Sequence, residues 1–182
     1  MSIRRYLLSF PIFIFIFVVQ EAFVTQLRIP FAGFSLLLIF ALIWAALSTP
    51  EIGALTGFGA GLLMDLSQTT PGPLGQWTLV MILAGFSVAF LGYGDDNIRA
   101  NPINIVLLTT VGVVASQFIF LLFGVMLGQE IGSASHLLFI FAGSAFWTAL
   151  ISPLIVKVIS FIHANVFGTR SLILINVLDS TY

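Results

Sequence analysis

The 182-residue chain contains no cysteine. That absence removes disulfides, thiolate nucleophiles and cysteine-ligated zinc or iron-sulfur centres. Charge is nearly as scarce: six Lys or Arg and seven Asp or Glu make up 7% of the residues and leave a net charge of -1. Soluble domains carry about a quarter charged residues, so a water-soluble fold is not expected, and so little basic surface offers nothing to a nucleic-acid backbone.

What is present is apolar. Hydrophobic residues make up 59% of the chain and the mean hydropathy is +1.16. An apolar helix of about 17 to 25 residues crosses a hydrocarbon core of roughly 30 Å. The runs predict an all-α polytopic membrane protein, one transmembrane domain over 1–182 built as a six-helix bundle. The predicted spans are about Tyr6 to Val24, Phe31 to Leu47, Pro50 to Leu66, Leu74 to Tyr93, Pro102 to Leu127 and His136 to Ile162, followed by a tail over 168–182. The basic, apolar start has the layout of a signal peptide, but no small-x-small cleavage site follows at Gln20-Glu21-Ala22, so the first run reads as an uncleaved span. Arg4, Arg5, Arg99, Lys157 and Arg170 fall on one side and only Arg28 on the other. The positive-inside rule then makes both termini cytoplasmic in a multi-pass cell membrane.

The third span has the most readable chemistry. Thr49-Pro50-Glu51 is a helix start: a capping hydroxyl, a proline at the first helical position and an acid where the dipole favours one. Gly53, Gly57 and Gly61 recur every fourth residue and form a ridge that lets another helix backbone come close. Asp65 is the next member of that ridge. From Pro50 to Leu66 the helix is about 25 Å long, which places Asp65 near the outer boundary, at a helix C-terminus where the dipole disfavours a carboxylate by roughly 0.3 to 1 kcal/mol. Its own helix therefore gains nothing from it. Either it is solvated among lipid headgroups, or it faces the bundle and fixes a polar contact or the stiff Ser67 to Pro73 loop.

No catalytic, cofactor or metal constellation emerges. Gly92 to Asp95 matches the short GxGD string of intramembrane aspartyl proteases, but Asp95 and Asp96 fall on the opposite side of the membrane from Asp65, and that chemistry needs two carboxylates sharing a proton. Ser144 lacks a serine-protease context, and His136 and His163 lie at opposite ends of one span. Gln20, Glu21, Glu130 and His136 join Asp65 as a candidate outer polar cluster. Gln117 is placed to bond a neighbouring helix, and Lys157 to snorkel to the cytoplasmic interface. The Leu172 to Leu178 stretch of the tail is too short to span.

The segment "STPEIGALTGFGAGLLMDLSQTTPGPLGQWTLVMILAGF" resembles the rod shape-determining MreD family of bacteria. Gly57, Gly59, Gly61, Leu62, Asp65 and Gly75 carry the match, while Phe34-Ser35 stands where such chains usually have Pro-Asp. The resemblance implies a fold similar to the substrate-binding S components of energy-coupling-factor transporters. It also implies a non-catalytic scaffold of the cell-elongation machinery that organises side-wall peptidoglycan synthesis. The implied partners are membrane lipids, MreC and, through it, RodA, its penicillin-binding transpeptidase and the MreB filament; a homo-oligomer is compatible with this role. Gly53, Gly57, Gly61, Asp65 and Gly75 are then the expected helix-packing or partner interface. The alternative is a vitamin transporter's substrate-binding subunit, which shares that fold but needs polar groups converging on a pocket.

Overall fold

The computed structural model of the chain describes residues 3–24, 26, 34–67, 72–94, 101–129 and 132–167. Among these residues the fold is all-helical, with no strand. The α-helices are α1 (Ile3–Val19), α2 (Leu36–Ala46), α3 (Pro50–Leu66), α4 (Gln76–Gly94), α5 (Pro102–Met126) and α6 (Ala134–Phe167). A π-helical turn, Gln20–Val24, continues α1. Three stretches, Gln76–Gly94, Pro102–Met126 and Ser135–Ile159, are long and apolar enough to cross a membrane.

The centre of the bundle is α2. Its sequence, LLLIFALIWAA, has no polar residue on any side, and every residue from Leu37 to Ala46 is buried. A helix without a polar stripe is stable only when surrounded, and α2 touches α1, α3, α4, α5 and α6. Phe13 packs edge-on against Phe40 and Trp44, with ring centroids 5.2 and 5.9 Å away, which seats α1 on α2.

α2 is shorter than the expected Phe31 to Leu47 span for a local reason. Ser35 has extended backbone and its Oγ accepts the Leu38 N–H at 3.3 Å, so the helix begins only after it. At the other end the Ser48 hydroxyl donates to the Trp44 carbonyl at 2.7 Å, satisfying a carbonyl that a buried helix end would otherwise leave unpaired. Eleven residues make α2 only about 16 Å long.

Around this centre the other helices turn apolar side chains outward. Leu83 and Phe90 of α4, Leu107 and Phe118 of α5, and Phe139 and Leu150 of α6 are all exposed. A belt of this extent is costly in water and matched to a lipid environment. Between α5 and α6, the Gln117 Nε2 donates to the Ser144 Oγ at 2.7 Å, a cross-helix bond of about 1 kcal/mol or less.

Candidate functional site

The tightest association in the bundle is between α3 and α4, and glycine makes it possible. A methyl group added at Gly57 would fall on the Met81 carbonyl; one at Gly61 would sit 2.5 Å from the Thr78 Cα; one at Gly53 would sit 2.5 Å from the Gly85 carbonyl oxygen. Each step of four residues on α3 is therefore matched by a step of about four on α4, and the two backbones stay in contact along the hairpin. Gly85 reciprocates, since a side chain there would strike the Gly53 carbonyl. Gly59, two residues from Gly57, has no atom within 4 Å of where its Cβ would be. The ridge is thus occupied within the bundle, by α4, and is not a free face for another protein.

The chain returns from α3 to α4 through Gly75, whose φ of +93° lies in the left-handed region that side chains disfavour. The Gly75 carbonyl accepts the Leu79 N–H at 3.0 Å, which makes Gly75 the residue that caps α4 by position. A helix-capping residue normally offers a side-chain oxygen to the second and third helical amides, and glycine has none. Asp65 supplies it from the neighbouring helix. Its Oδ1 accepts the Trp77 N–H at 3.0 Å and its Oδ2 the Thr78 N–H at 2.9 Å, with the Thr78 hydroxyl donating to the same Oδ2. The first helical amide, that of Gln76, bonds the Pro73 carbonyl at 3.2 Å. The first three helical amides of α4 are thereby satisfied, and a carboxylate set unfavourably at the end of one helix dipole lies favourably at the start of the next.

The start of α4 is also tied to α5. The Gln76 Nε2 donates to the Phe120 carbonyl at 2.7 Å, and the Trp77 ring stacks on Phe120 with centroids 4.3 Å apart. These two residues, buried at 5% and 9% exposure, were not singled out from sequence. The signal for them was weak, because a glutamine and a tryptophan at a span end read as ordinary interfacial residues.

A second cap of the same kind uses the candidate polar cluster. The Gln20 Oε1 accepts the Leu36 N–H at 2.6 Å and lies 3.4 Å from the Leu37 N, adding to Ser35 at the start of α2. The Glu21 Oε1 accepts the Ser67 hydroxyl at 2.7 Å, joining the π turn to the end of α3. The π turn presents these two consecutive side chains to two different helices. His136 is exposed in the first turn of α6, and no hydrogen bond joins it to Gln20, Glu21 or Asp65. Glu130 lies outside the described residues, as do Asp95, Asp96 and the 168–182 tail. Among the described residues no three His, Asp or Glu side chains come together. The arrangement is suited to holding helix ends rigidly.

The Gln20 cap yields a local test. Gln20→Leu is expected to lower stability by about 1 kcal/mol and to speed hydrogen exchange at the Leu36 and Leu37 amides. Gln20→Glu, which keeps an acceptor oxygen, should preserve slow exchange there.

Comparison of the chain with protein-family models, curated proteins and solved structures finds no match.

Proposed function

We propose that the chain is a non-catalytic, multi-pass scaffold of the bacterial cytoplasmic membrane, acting in cell elongation as MreD-like proteins do, with MreC as its direct partner. On this reading the chain crosses the bilayer six times, with both ends in the cytoplasm and the Asp65 end of the bundle outside.

One observation carries the reading. Of the described members of the polar cluster, Gln20, Glu21 and Asp65 are engaged in holding helix ends, while the exposed His136 stands apart from them. A ligand-binding subunit needs such groups to converge on a pocket; here they diverge to different helix ends and stiffen a platform. The stiffened α3 presents Leu55, Phe58, Leu62 and Leu66 outward, all exposed, at helical spacing. Because the glycine ridge is filled by α4, the MreC transmembrane helix is assigned to this outward face.

Affinity purification of the tagged protein from native membranes, followed by mass spectrometry, tests the assignment. The expected result is MreC with RodA and a penicillin-binding protein. MreC should be lost from a Leu55→Ala, Phe58→Ala, Leu62→Ala triple variant that keeps its helical content. Recovery of an energy-coupling ATPase pair with a bound vitamin overturns the scaffold role. Retention of MreC by the folded triple variant overturns the assigned face.

A further inference from the structure

α5 and α6 are apolar toward the outside, yet the sides they turn inward carry hydroxyls. Ser144, Thr148 and Ser152 recur every fourth residue on α6, and α5 contributes Thr109 and Ser116; all are buried. Two of these hydroxyls are accounted for within the protein: Ser116 donates to the Gly112 carbonyl at 2.6 Å, and Ser144 accepts the Gln117 Nε2. The hydroxyls of Thr109, Thr148 and Ser152, each 0% exposed, meet no hydrogen-bonding partner among the described residues, and neither does the buried Oε1 of Gln117. Small residues alone serve helix packing, but hydroxyls this deep oppose folding unless something bonds them.

The unpartnered atoms follow one seam. The Gln117–Ser144 bond sets the register of α5 against α6. Thr148 and Ser152 lie one and two turns beyond Ser144, while Thr109 lies as far from Gln117 on α5 as Ser152 does from Ser144 on α6. On antiparallel neighbours this brings Thr109 and Ser152 to a similar depth, roughly 12 Å from the bond. Pro153 adds an acceptor to the same two turns: it has no N–H to give the Ala149 carbonyl, which loses its usual donor between Thr148 and Ser152.

The chemistry of these atoms defines what binds them. The guest both donates and accepts, because the carbonyl and carboxamide oxygens only accept while the hydroxyls do either. It is neutral, since neither helix carries an Asp or Glu to balance a cation and an isolated charge inside a membrane is costly. It is small, since these side-chain atoms are closed off from the surface. Water meets all three conditions and needs only about 10 to 15 Å³ of probe-occupied space. We infer that the α5–α6 seam binds internal water, held by Thr109, Thr148, Ser152 and the Gln117 Oε1, with the Ala149 carbonyl freed by Pro153 as a further acceptor. Ordered water of this kind satisfies backbone groups that a proline releases inside a membrane. The inference needs only that α5 and α6 lie in a bilayer, for which both are long and apolar enough, and it is independent of the scaffold role.

The test is water-edited solid-state NMR of the full chain in bilayers with isotopically labelled Ser and Thr, since polarisation passes from water only to nuclei close to it. Ser116 is the control, equally buried but bonded to its own helix. The expected result is severalfold faster build-up at Thr109, Thr148 and Ser152 than at Ser116. Thr148→Val, which nearly keeps the side-chain shape, should abolish the fast build-up at Ser152 with helical content unchanged. Thr110→Val, whose hydroxyl already bonds the Val106 carbonyl, should leave it intact. Build-up at the three residues as slow as at Ser116 means a dry seam and overturns the inference. Equally fast build-up at Ser116, or fast build-up at Ser152 that persists in Thr148→Val, overturns it too.

Discussion

Asp65→Ala is expected to lower the unfolding free energy by about 2 to 3 kcal/mol, because it removes the side chain that caps α4 and strips two backbone amides and a hydroxyl of their acceptor. The loss falls on the helix that follows, not on the one carrying the aspartate. Asp65→Asn should lie between the two, since the amide offers one acceptor oxygen where the carboxyl group offers two. Hydrogen exchange separates this mechanism from a general loosening: Trp77 and Thr78 amides should exchange faster in Asp65→Ala while those in the middle of α3 do not. A variant Gly75→Asn makes the reciprocal case. It tolerates the left-handed backbone better than most residues and would bring its own capping oxygen, so Asp65→Ala should cost less in the Gly75→Asn background than alone. Equal costs in both backgrounds would mean that Asp65 acts by some route other than the cap.

Two glycines two residues apart on α3 should respond to the same change with opposite signs. Gly57→Ala forces its methyl group onto the Met81 backbone, which has no rotamer to yield, and is expected to cost about 3 kcal/mol or more. Gly59→Ala meets no atom within 4 Å and replaces the poorest ordinary helix former with the best, for a gain of about 0.5 to 1 kcal/mol. Thermal unfolding in one detergent, followed by circular dichroism, reads both. The contrast matters because both glycines belong to the motif that carries the family resemblance. If both variants are equally destabilised, close backbone approach is not the reason for the glycine spacing.

The helices themselves were legible because their determinants are local. Apolar run length, Pro50 at the first helical position and the four-residue glycine spacing are all written within a few residues of where they act; the Thr49 hydroxyl, expected to cap α3, instead bonds the Glu51 side chain and no backbone amide of the helix. The centrality of α2 could have been suspected from its lack of any polar face, yet in a chain this apolar every helix approaches that condition and the contrast is lost. Asp65 shows the limit more sharply. Its distance from the dipole end it suits was readable, and so was the idea that it holds the following loop. What was missing was the accounting at the other side of the loop: Gly75 occupies a capping position without a capping atom, and a donor pair without a local acceptor implies a remote one. Gln20 was harder still. Its partners, the Leu36 and Leu37 amides, are sixteen and seventeen residues away, and nothing local tells an interfacial glutamine from a cap.

The hairpin of α3 and α4 also bears on how such a chain enters a membrane during synthesis. With Gly53, Gly57 and Gly61 along one side, α3 has little apolar side-chain surface there to offer to hydrocarbon, and its last turn carries an acid with no partner until α4 exists. Neither deficit persists once α4 lies alongside, because α4 covers the bare side and its first amides receive the acid. The translocon would therefore release the two helices together as a pair. A ribosome stalled before Thr78 has emerged should leave α3 still extractable, and completion of α4 should lock both in place.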